Sequence, residues 1–420
     1  MRDGGVARPP RRRGGLLNAA TLVAATMFLA AGLSDGAAYY SFGVFVSPLR
    51  DEFGWSVTQI NVAVSLAVVV GIGNPVAGWL LDRLGARPVV VGSLLLMAAG
   101  FGLRPFMSDL WHFYALNCLV YLGVPGATEL PMARLVSVWF PRRRGRMMGL
   151  IATGPNVGGL TMVPLAAALV LASGWALGYA VFGALFVAAA LLALLWIRDA
   201  PGGRDEAAGA APARNAREEQ HRLPGLTFRE ALRTRTFYLL AVASFATMFP
   251  TAAVLPQLVP HLEREGLASA TAAVVVSVTA FFSIGSKLAF GTLAEAITAR
   301  RALALSATVV SVGTVALVLA GGSGLVWPAA ALWGFGFAAP GALVPLAVAE
   351  AFGLREYGSI LGVIRMFGTL SFVAAPVAVG MMFEASGSYE LPFLLSVIAV
   401  APAVPATLLA RPSGSSASPR

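Results

Sequence analysis

The sequence contains a single cysteine, a single lysine and few charged residues of any kind. Cys118 alone cannot form an intrachain disulfide and provides no cysteine cluster for a metal site. Charged residues make up 12% of the 420 residues, whereas about 25% is usual in soluble domains. Hydrophobic residues make up 57%. This composition excludes an ordinary soluble globular protein and indicates an integral membrane protein.

Patterns that carry enzyme chemistry are also missing from the sequence. No G-x-x-x-x-G-K-[ST] motif occurs, so ATP-driven transport by this chain alone is not expected. We find no soluble domain and no Ser/His/Asp or metal-binding constellation, so we predict neither an enzyme nor a bound cofactor. The apolar run after Arg11–Arg13 is longer than the hydrophobic region of a signal peptide, and we interpret it as the first membrane span.

Apolar runs long enough to cross a bilayer recur along the whole chain. One helical crossing needs about 20 apolar residues. We therefore predict an all-α membrane protein with twelve transmembrane helices in two sets of six. The spans lie near residues 17–47, 58–81, 88–107, 111–139, 145–171, 175–197, 237–260, 270–296, 301–321, 326–349, 358–383 and 388–410.

The predicted organisation has five parts. The chain begins with a basic, Gly/Pro-rich and disordered tail at residues 1–16. An N-terminal six-helix bundle follows at 17–197, and a linker at 198–236. The chain continues with a C-terminal six-helix bundle at 237–410 and a second tail at 411–420. The linker is rich in Ala, Gly, Arg and Glu, and its last part, LTFREALRTRTF, is typical of a surface helix that leads into span seven.

The net charge of +10 comes from arginines that lie on one side of the predicted spans. Twenty-four arginines fall in the two tails or in alternate loops, and the opposite loops hold three, Arg50, Arg104 and Arg264. Cytoplasmic loops carry an excess of Lys and Arg, so both termini are predicted to be cytoplasmic. The basic charge therefore reports topology in a lipid bilayer, and a nucleic-acid partner is not predicted.

Two segments of the chain are copies of each other at an offset of 213 residues. The turn GWLLDRLGAR and its counterpart GTLAEAITAR share a glycine, an acid and an arginine at that offset, and Gly145 and Gly149 map onto Gly358 and Gly362. The repeat predicts two similar bundles that meet at a central interface. We expect charge-assisted contacts of Asp82 with Arg83 and Arg87 to hold the cytoplasmic side shut. The residues assigned to this gate are Gly78, Asp82, Arg83, Arg87, Glu295 and Arg300.

Two cations lie within predicted spans of the second half. Lys287 and Arg365 each stand eight residues from the cytoplasmic end of their span, and such a group costs roughly 2.5–3.5 kcal/mol on insertion. Within that half neither has an acid beside it, and two unpaired cations repel strongly unless an anion lies between them. We take that anion as the candidate substrate. The alternatives are a structural ion pair and a lysine that snorkels to the headgroups.

The repeat places Asn74 opposite Lys287 and Ala152 opposite Arg365, so the cations are not part of the repeated scaffold. We add Asn74 to the candidate substrate-binding residues. Two acids lie in apolar runs of the first half, Asp35 and Glu129, and each is a candidate for proton coupling, substrate binding or a helix-to-helix contact. Further candidates for the cavity wall, by chemistry alone, are Tyr39, Tyr40, Phe281, Phe282 and Trp333.

The turns GWLLDRLGAR and GTLAEAITAR and the segment WFPRRRGRMMG resemble the loop signatures of the major facilitator superfamily. Within it, YSFGVFVSPLRDEFGWS resembles the monocarboxylate porter group and its oxalate:formate antiporter relatives. The resemblance implies a major facilitator fold and transport of a small organic anion that Lys287 and Arg365 clasp. In the proton-coupled carriers the helix-eight pair has an aspartate where this sequence has Ser283, and helix one has a lysine where it has Tyr40. Coupling to protons is therefore open against exchange for another anion. Ser283, Tyr39 and Tyr40 are further candidate substrate-binding residues.

The resulting prediction is a multi-pass transporter of monocarboxylates or dicarboxylates in the cell membrane, acting by alternating access and as a monomer. Two other interpretations remain. An exporter of apolar cations would use Asp35 and Glu129 as binding charges. A membrane sensor or accessory protein would not transport at all.

Overall fold

The computed structural model describes residues 13–199 and 224–411. The first range is almost entirely helical. Its helices are α1 (Arg13–Asp35), α2 (Phe42–Phe53), α3 (Val57–Ser65), α4 (Val68–Leu84), α5 (Ala86–Gly102), α6 (Leu110–Ala127), α7 (Glu129–Trp139), α8 (Arg144–Ile151) and α9 (Gly154–Trp196). A π-helical turn, Gly36–Tyr40, joins α1 to α2, and a 3-10 turn, Arg104–Phe106, follows α5.

The second described range, residues 224–411, is also almost entirely helical. It contains α10 (Phe228–Leu232), α11 (Arg235–Val254), α12 (Leu258–Arg264), α13 (Ser269–Ile297), α14 (Ala299–Ala320), α15 (Val326–Phe337), α16 (Pro340–Phe352), α17 (Tyr357–Ser386), α18 (Glu390–Val400) and α19 (Ala403–Leu409). The 3-10 turn Leu255–Gln257 joins α11 to α12. Most of the predicted tails and linker, residues 1–12, 200–223 and 412–420, lies outside the described residues.

Among the described residues, ten helical segments are long and apolar enough to cross a membrane. One of them, Arg144–Trp196, contains predicted spans five and six, and its backbone breaks at Gly174, which has φ 80° and ψ 173°. Predicted span four, 111–139, is not among the ten; it divides at Thr128 and carries both Glu129 and Arg134. Twelve crossings therefore remain a prediction that requires α9 to cross twice and α6 with α7 to cross once.

Several predicted spans are interrupted near their middle, and the interruptions hold the acids. Asp35 is the last residue of α1, directly before the π-helical turn. Glu129 is the first residue of α7, directly after the break at Thr128. The two long helices α13 and α17, which carry Lys287 and Arg365, run without interruption.

The two halves touch most extensively along two helix pairs, α4 with α17 and α8 with α13, and they also meet where α7 and α8 contact α16 and where α7 contacts α17. Backbones meet at glycines: a Cβ on Gly358 would collide with the carbonyl of Gly78, and one on Gly145 with the carbonyl of Gly291. These pairs are related by the 213-residue offset that the sequence shows. The repeat therefore appears in the structure as two equivalent close contacts between the halves.

The loops that follow α4, α7, α13 and α16 lie together at one end of the bundle, with the described residues 197–199 after α9, and we call this the arginine-rich end. There the Trp139 indole donates to Arg198 O at 2.8 Å, and the Thr236 hydroxyl donates to Arg411 O at 2.8 Å. The arrangement of loops agrees with the one-sided distribution of arginines. Whether this end faces the cytoplasm stays a prediction from that distribution.

The described end of the linker is fastened to the C-terminal half at this end. Leu226 N donates to Phe352 O at 2.8 Å, and Phe228 N donates to the Glu356 carboxylate at 2.6 Å. The segment predicted as one surface helix forms the five-residue α10, which Thr227 and Glu230 cap reciprocally. The hydrogen bonds from Thr227 hold the pKa of the exposed Glu230 carboxyl below its usual value.

Candidate functional site

A cavity of about 640 Å³ lies between the two halves. It is the size of many small-molecule sites, which span roughly 300–1,000 Å³. All eight residues predicted for substrate binding or proton coupling line it. They are Asp35, Tyr39, Tyr40, Asn74, Glu129, Ser283, Lys287 and Arg365.

Lys287 reaches across the interface to the first half. Its Nζ donates to Ala152 O at 2.9 Å and to Asn156 Oδ1 at 2.6 Å. Ala152 directly follows α8, so its carbonyl belongs to the set that helix ends leave without an intrahelical partner. Lys287 therefore bonds neutral acceptors in the cavity and does not snorkel to the bilayer surface.

Arg365 forms an ion pair with Glu129 across the same interface, through Nη2 and Oε2. The Arg365 side chain is 13% exposed and the Glu129 side chain 32%. Arg365 Nη1 is buried and has no hydrogen-bond partner among the residues that the structure describes. The guanidinium fork, which can grip a carboxylate with two parallel bonds, is thus only half used.

The expectation of two unpaired cations is wrong, because the first half supplies their partners. Glu129 neutralises Arg365, while the carbonyl and amide oxygens of Ala152 and Asn156 solvate Lys287. Asp35 and Glu129 also lie close enough to Lys287 to interact electrostatically. The cavity brings two acids from one half together with two cations from the other.

The remaining predicted wall residues contribute shape and hydrogen bonds. Tyr39 stacks on Tyr121 with ring centroids 5.5 Å apart, and the Tyr40 ring lies against Gly159. Ser283 Oγ accepts from Asn156 Nδ2 at 3.2 Å, and so belongs to the Lys287 network.

Three of the aromatic candidates, Phe281, Phe282 and Trp333, do not line the cavity. Trp333 is fully buried inside the second half, where its indole donates to Thr314 Oγ1 at 3.1 Å, and Phe281 is 72% exposed. Phe337 and Phe372 line the cavity instead, although they were not predicted from the sequence.

Asp82 caps a helix of the opposite half. Its two carboxylate oxygens accept from Gly358 N at 2.8 Å and from Ser359 N at 2.6 Å, at the start of α17. Backbone N–H groups at a helix N-terminus attract a negative charge. The nearest arginine is Arg134, whose Nη1 lies 3.9 Å from Asp82 Oδ1.

The prediction that Asp82 contacts Arg83 and Arg87 is therefore wrong in its partners. Asp82 points inward and is 7% exposed, whereas the guanidinium of Arg83 lies 4.0 Å from the centroid of the Trp79 ring, away from the interface. Arg87 Nε is buried without a hydrogen-bond partner in the described part of the chain.

Glu295 makes the equivalent contact in the other direction. Its carboxylate accepts from Arg146 N at 2.9 Å, near the start of α8, and lies 3.1 Å from Arg146 Nε. Asp82 and Glu295, like Ser359 and Arg146, are related by the 213-residue offset. Arg300, the third member of the predicted turn, instead donates to Ala410 O near the end of the described chain.

The cavity is closed towards the arginine-rich end and accessible from the other. On the closed side the glycine contacts between α4 and α17 and between α8 and α13 leave no room for a side chain. Away from it the lining residues Tyr40 and Phe372 are each 51% exposed.

Asn156 is a site residue that the sequence did not single out. It holds Lys287 and Ser283 together from the first half. The signal was an amide in an apolar run directly after Gly154 and Pro155, where the chain restarts a helix. Glu350 was also missed: it lies 3.4 Å from Arg144 across the interface and accepts from Ala299 N.

The sequence profile of the Major Facilitator Superfamily matches residues 27–376. The chain belongs to this superfamily. The predicted resemblance is therefore confirmed, and the chain is a multi-pass membrane transporter and not an enzyme.

Named relatives and solved structures agree with this membership. The chain is 27% identical to rat monocarboxylate transporter 3, over 84% of this chain and 72% of that protein. It is 29% identical to human monocarboxylate transporter 11, over 89% and 79% of the two chains. With the oxalate:formate antiporter of Oxalobacter formigenes it shares 25% identity over 61% and 59%.

Two solved transporters of the superfamily have the same fold. The fucose:proton symporter of E. coli matches with a TM-score of 0.71 and 16% identity, over 94% of this chain and 99% of that one. The proton:xylose symporter XylE matches with a TM-score of 0.71 and 14% identity, over 94% and 95%. The predicted all-α major facilitator fold is confirmed.

Proposed function

We propose that this transporter carries small organic anions, monocarboxylates or dicarboxylates, and binds them in the cavity between its halves. The observation that carries the proposal is that Lys287 and Arg365, on two separate helices of one half, face the same cavity. Relatives named monocarboxylate transporters and an oxalate:formate antiporter support the same substrate class.

The cavity favours an anion in spite of its paired charges. Arg365 uses one of its two terminal nitrogens, and the other is buried without a partner among the described residues, which is an unfavourable arrangement for a buried donor. A planar carboxylate is the ligand that satisfies both nitrogens of a guanidinium. Lys287, which already bonds two neutral oxygens, adds a positive charge to the same cavity.

Transport would follow from rocking of the two halves about this cavity. If the arginine-rich end faces the cytoplasm, as the charge distribution predicts, the structure is open to the outside. The mirrored contacts of Asp82 and Glu295 then form the cytoplasmic gate. Asp35 and Glu129 are the candidates for proton coupling, with exchange for a second anion as the other mechanism. We propose a monomer in the cell membrane with cytoplasmic termini.

Export of apolar cations is the second candidate function, and one observation favours it. Asp35 lines the cavity and, within the described ranges, has no hydrogen-bond or ion-pair partner. An acid in that position could bind a cation, with Glu129 beside it. In that case Arg365 and Lys287 would serve to hold the acids in place.

Uptake into proteoliposomes separates these candidates. Purified protein is tested with labelled lactate, oxalate and tetraphenylphosphonium, with and without a pH gradient. We expect saturable uptake of at least one carboxylate, loss of that uptake in Arg365→Ala, and normal uptake in the control Arg50→Ala, whose side chain is exposed far from the cavity. Transport of tetraphenylphosphonium without any carboxylate would favour the exporter, and no transport at all would favour a sensor.

A further inference from the structure

We propose that the preferred substrate is an amphipathic monocarboxylate, which has one carboxylate and an apolar body about the size of an aromatic ring, with lactate and oxalate as weaker ligands. The inference rests on the proposed function, because it takes the carboxylate site at Lys287 and Arg365 as given and derives what the rest of the cavity would bind. It narrows the substrate class from monocarboxylates and dicarboxylates to one kind of monocarboxylate.

The charged side chains lie in the part of the cavity nearer the arginine-rich end, which we call the inner part. On α17, which runs away from that end, Arg365 comes seven residues before Phe372, or about 10 Å of helix. On α13, which runs towards that end, Val276 comes 11 residues before Lys287, or about 16 Å. Both helices therefore present a cation to the inner part and an apolar side chain to the accessible, outer part.

The outer part of the cavity has a mostly apolar wall. Thr279 and Thr369 lie between the charged and the apolar levels, but their hydroxyls donate to backbone carbonyls of their own helices, at 2.7 Å and 3.1 Å. Tyr39, Tyr40 and Thr251 add hydroxyl groups and no charge. Among the described residues, the apolar side chains of this wall are Val70, Val124, Leu255, Val259, Val276 and Phe372. Such a wall favours an apolar group over a charged one.

An aromatic ring is fixed in the wall close to the charged side chains. Phe337 lines the cavity and stacks on Trp333, with ring centroids 4.5 Å apart and ring planes 21° apart. Trp333 is fully buried and donates to Thr314, so the Phe337 ring is held in place. Four residues after Phe337, the Cβ position of Gly341 lies 3.7 Å from Glu129 Oε1. The aromatic wall thus begins about one helical turn, or about 5 Å, from the charged groups.

An apolar outer wall could instead serve to seal the cavity when the halves close at the accessible end. Such a seal needs apolar residues at the mouth, where Tyr40 and Phe372 are exposed. Phe337 lies deeper, at the level of the charged groups and in one half only, so sealing does not account for it. A solute that occupies both levels accounts for Phe337 and Phe372 together.

The matching ligand places its carboxylate at the cations and its apolar body against Phe337 and Phe372. Apolar area that leaves water favours binding in proportion to that area, and contacts between aromatic rings add to it. A second carboxylate at the far end of the body would lie in the outer part without a counter-ion, which is unfavourable. A small anion such as lactate would leave the apolar wall in contact with water.

The test is calorimetric binding of three ligands to the purified, detergent-solubilised transporter at pH 8. The ligands are propionate, 3-phenylpropionate and 3-(4-carboxyphenyl)propionate, so the second adds a ring to the first and the third adds a carboxylate to the far end of that ring. Even one methylene group in a hydrophobic pocket changes discrimination by about 10- to 200-fold. We therefore expect 3-phenylpropionate to bind at least about tenfold more tightly than either of the other two.

Two variants locate the ring of the ligand. Phe337→Leu and Phe372→Ala should each weaken the binding of 3-phenylpropionate about threefold to tenfold, the range for a contact between two rings, and leave the binding of propionate nearly unchanged. Phe281→Ala is the matched control, because Phe281 is 72% exposed on α13 and does not line the cavity. It should change neither affinity.

Four results overturn the inference. If the wild type binds propionate and 3-phenylpropionate equally, the outer wall is a sealing surface and the proposed function stands. If it binds the dicarboxylate as tightly as 3-phenylpropionate, the restriction to monocarboxylates is wrong. If Phe337→Leu and Phe372→Ala bind 3-phenylpropionate no differently from Phe281→Ala, the ring does not lie in the cavity. If no carboxylate binds, the proposed function fails as well, and binding of tetraphenylphosphonium would then favour the exporter. The comparison of ligands in the wild type decides the first two points even if a variant does not fold.

Discussion

The two halves of the transporter share their interface and differ in their cavity. At the interface, the contact of Asp82 with Ser359 N is repeated by Glu295 with Arg146 N, 213 residues away. In the cavity, the first half provides the acids Asp35 and Glu129, and the second half provides cations. The repeat therefore preserves the surfaces through which the halves touch, and the two copies have diverged at the cavity, where we propose that the solute binds.

Helix continuity differs in the same way between the halves. α17 passes through Arg365 without interruption. The matching segment of the first half is broken, because α8 ends at Ile151 and α9 begins at Gly154. The break frees the carbonyl of Ala152, at the position that mirrors Arg365, and Lys287 bonds this carbonyl. At these equivalent positions, the second half therefore provides a charged side chain, and the first half provides a backbone carbonyl.

The largest expected effect comes from removing a cation from the second half. Lys287→Ala or Arg365→Ala should abolish saturable anion uptake, because the loss of one partner of a buried charge costs about 3–5 kcal/mol. Lys287→Arg should keep some activity. The double mutant should be little worse than either single one, since the site fails as a unit. Uptake of labelled lactate and oxalate in proteoliposomes measures this.

The mirror positions serve as controls for that experiment. Asn74→Ala, opposite Lys287 in the repeat, should retain saturable uptake with a smaller loss. If Lys287→Ala binds anions normally but melts at a lower temperature, the lysine is a structural partner of Asn156. Export of apolar cations would then be the better interpretation.

The features that the sequence predicted are those that depend on short patterns. Apolar runs located the helices, and the glycine and acid spacing located the mirrored contacts, because a helix end and a close backbone approach each require particular residue types. The placement of the four charged cavity residues followed from one rule, that ionisable groups in membrane helices face a cavity or a partner. Asn74 followed from the repeat, and Ser283 and the two tyrosines from the resemblance and from side-chain chemistry.

The features that the sequence did not predict depend on distances between segments far apart in the chain. Glu129 and Arg365 are separated by 236 positions, and no local pattern shows which helices bring them together. The partners of Asp82 were mistaken for the same reason: Arg83 and Arg87 are close along the chain, whereas Gly358 and Ser359 are close in space.

The second largest effect is expected at the glycine contacts, where the halves are equivalent. A Cβ on Gly149 would collide with Lys287 O, and one on Gly362 with Asn74 O. Overpacking costs about 1–3 kcal/mol, so Gly149→Ala and Gly362→Ala should each lower the transport rate about tenfold. Gly285→Ala on α13 is the matched control, since no atom of the described residues that could obstruct a Cβ lies within 4 Å of that position. Unequal effects at Gly149 and Gly362 would show that the interface is not symmetric in function.

A smaller effect is expected from the amide that positions Lys287. Asn156→Ala removes one of the two hydrogen bonds at Nζ and leaves the bond to Ala152 O. We expect the half-saturating lactate concentration to rise about fivefold to tenfold. This rise is close to the smallest loss expected when a hydrogen bond to a charged group is removed. Asn74→Ala is again the comparison, because no hydrogen bond reaches the Asn74 side chain within the described ranges. Equal effects of the two changes would remove Asn156 from the site.

The smallest effect should come from the two gate acids, and it should differ between the halves. Asp82 holds two backbone N–H groups at the start of α17, whereas Glu295 holds one, together with the exposed Arg146. A charge at a helix N-terminus contributes about 0.3–1 kcal/mol. Asp82→Asn should therefore lower the maximal transport rate about threefold to fivefold, and Glu295→Gln by less than about twofold. Neither change touches the cavity, so the half-saturating concentration should stay nearly constant in both. A large loss of affinity at an unchanged rate in Asp82→Asn would contradict its role as a gate, and a greater loss of rate in Glu295→Gln would reverse the order of the two contacts.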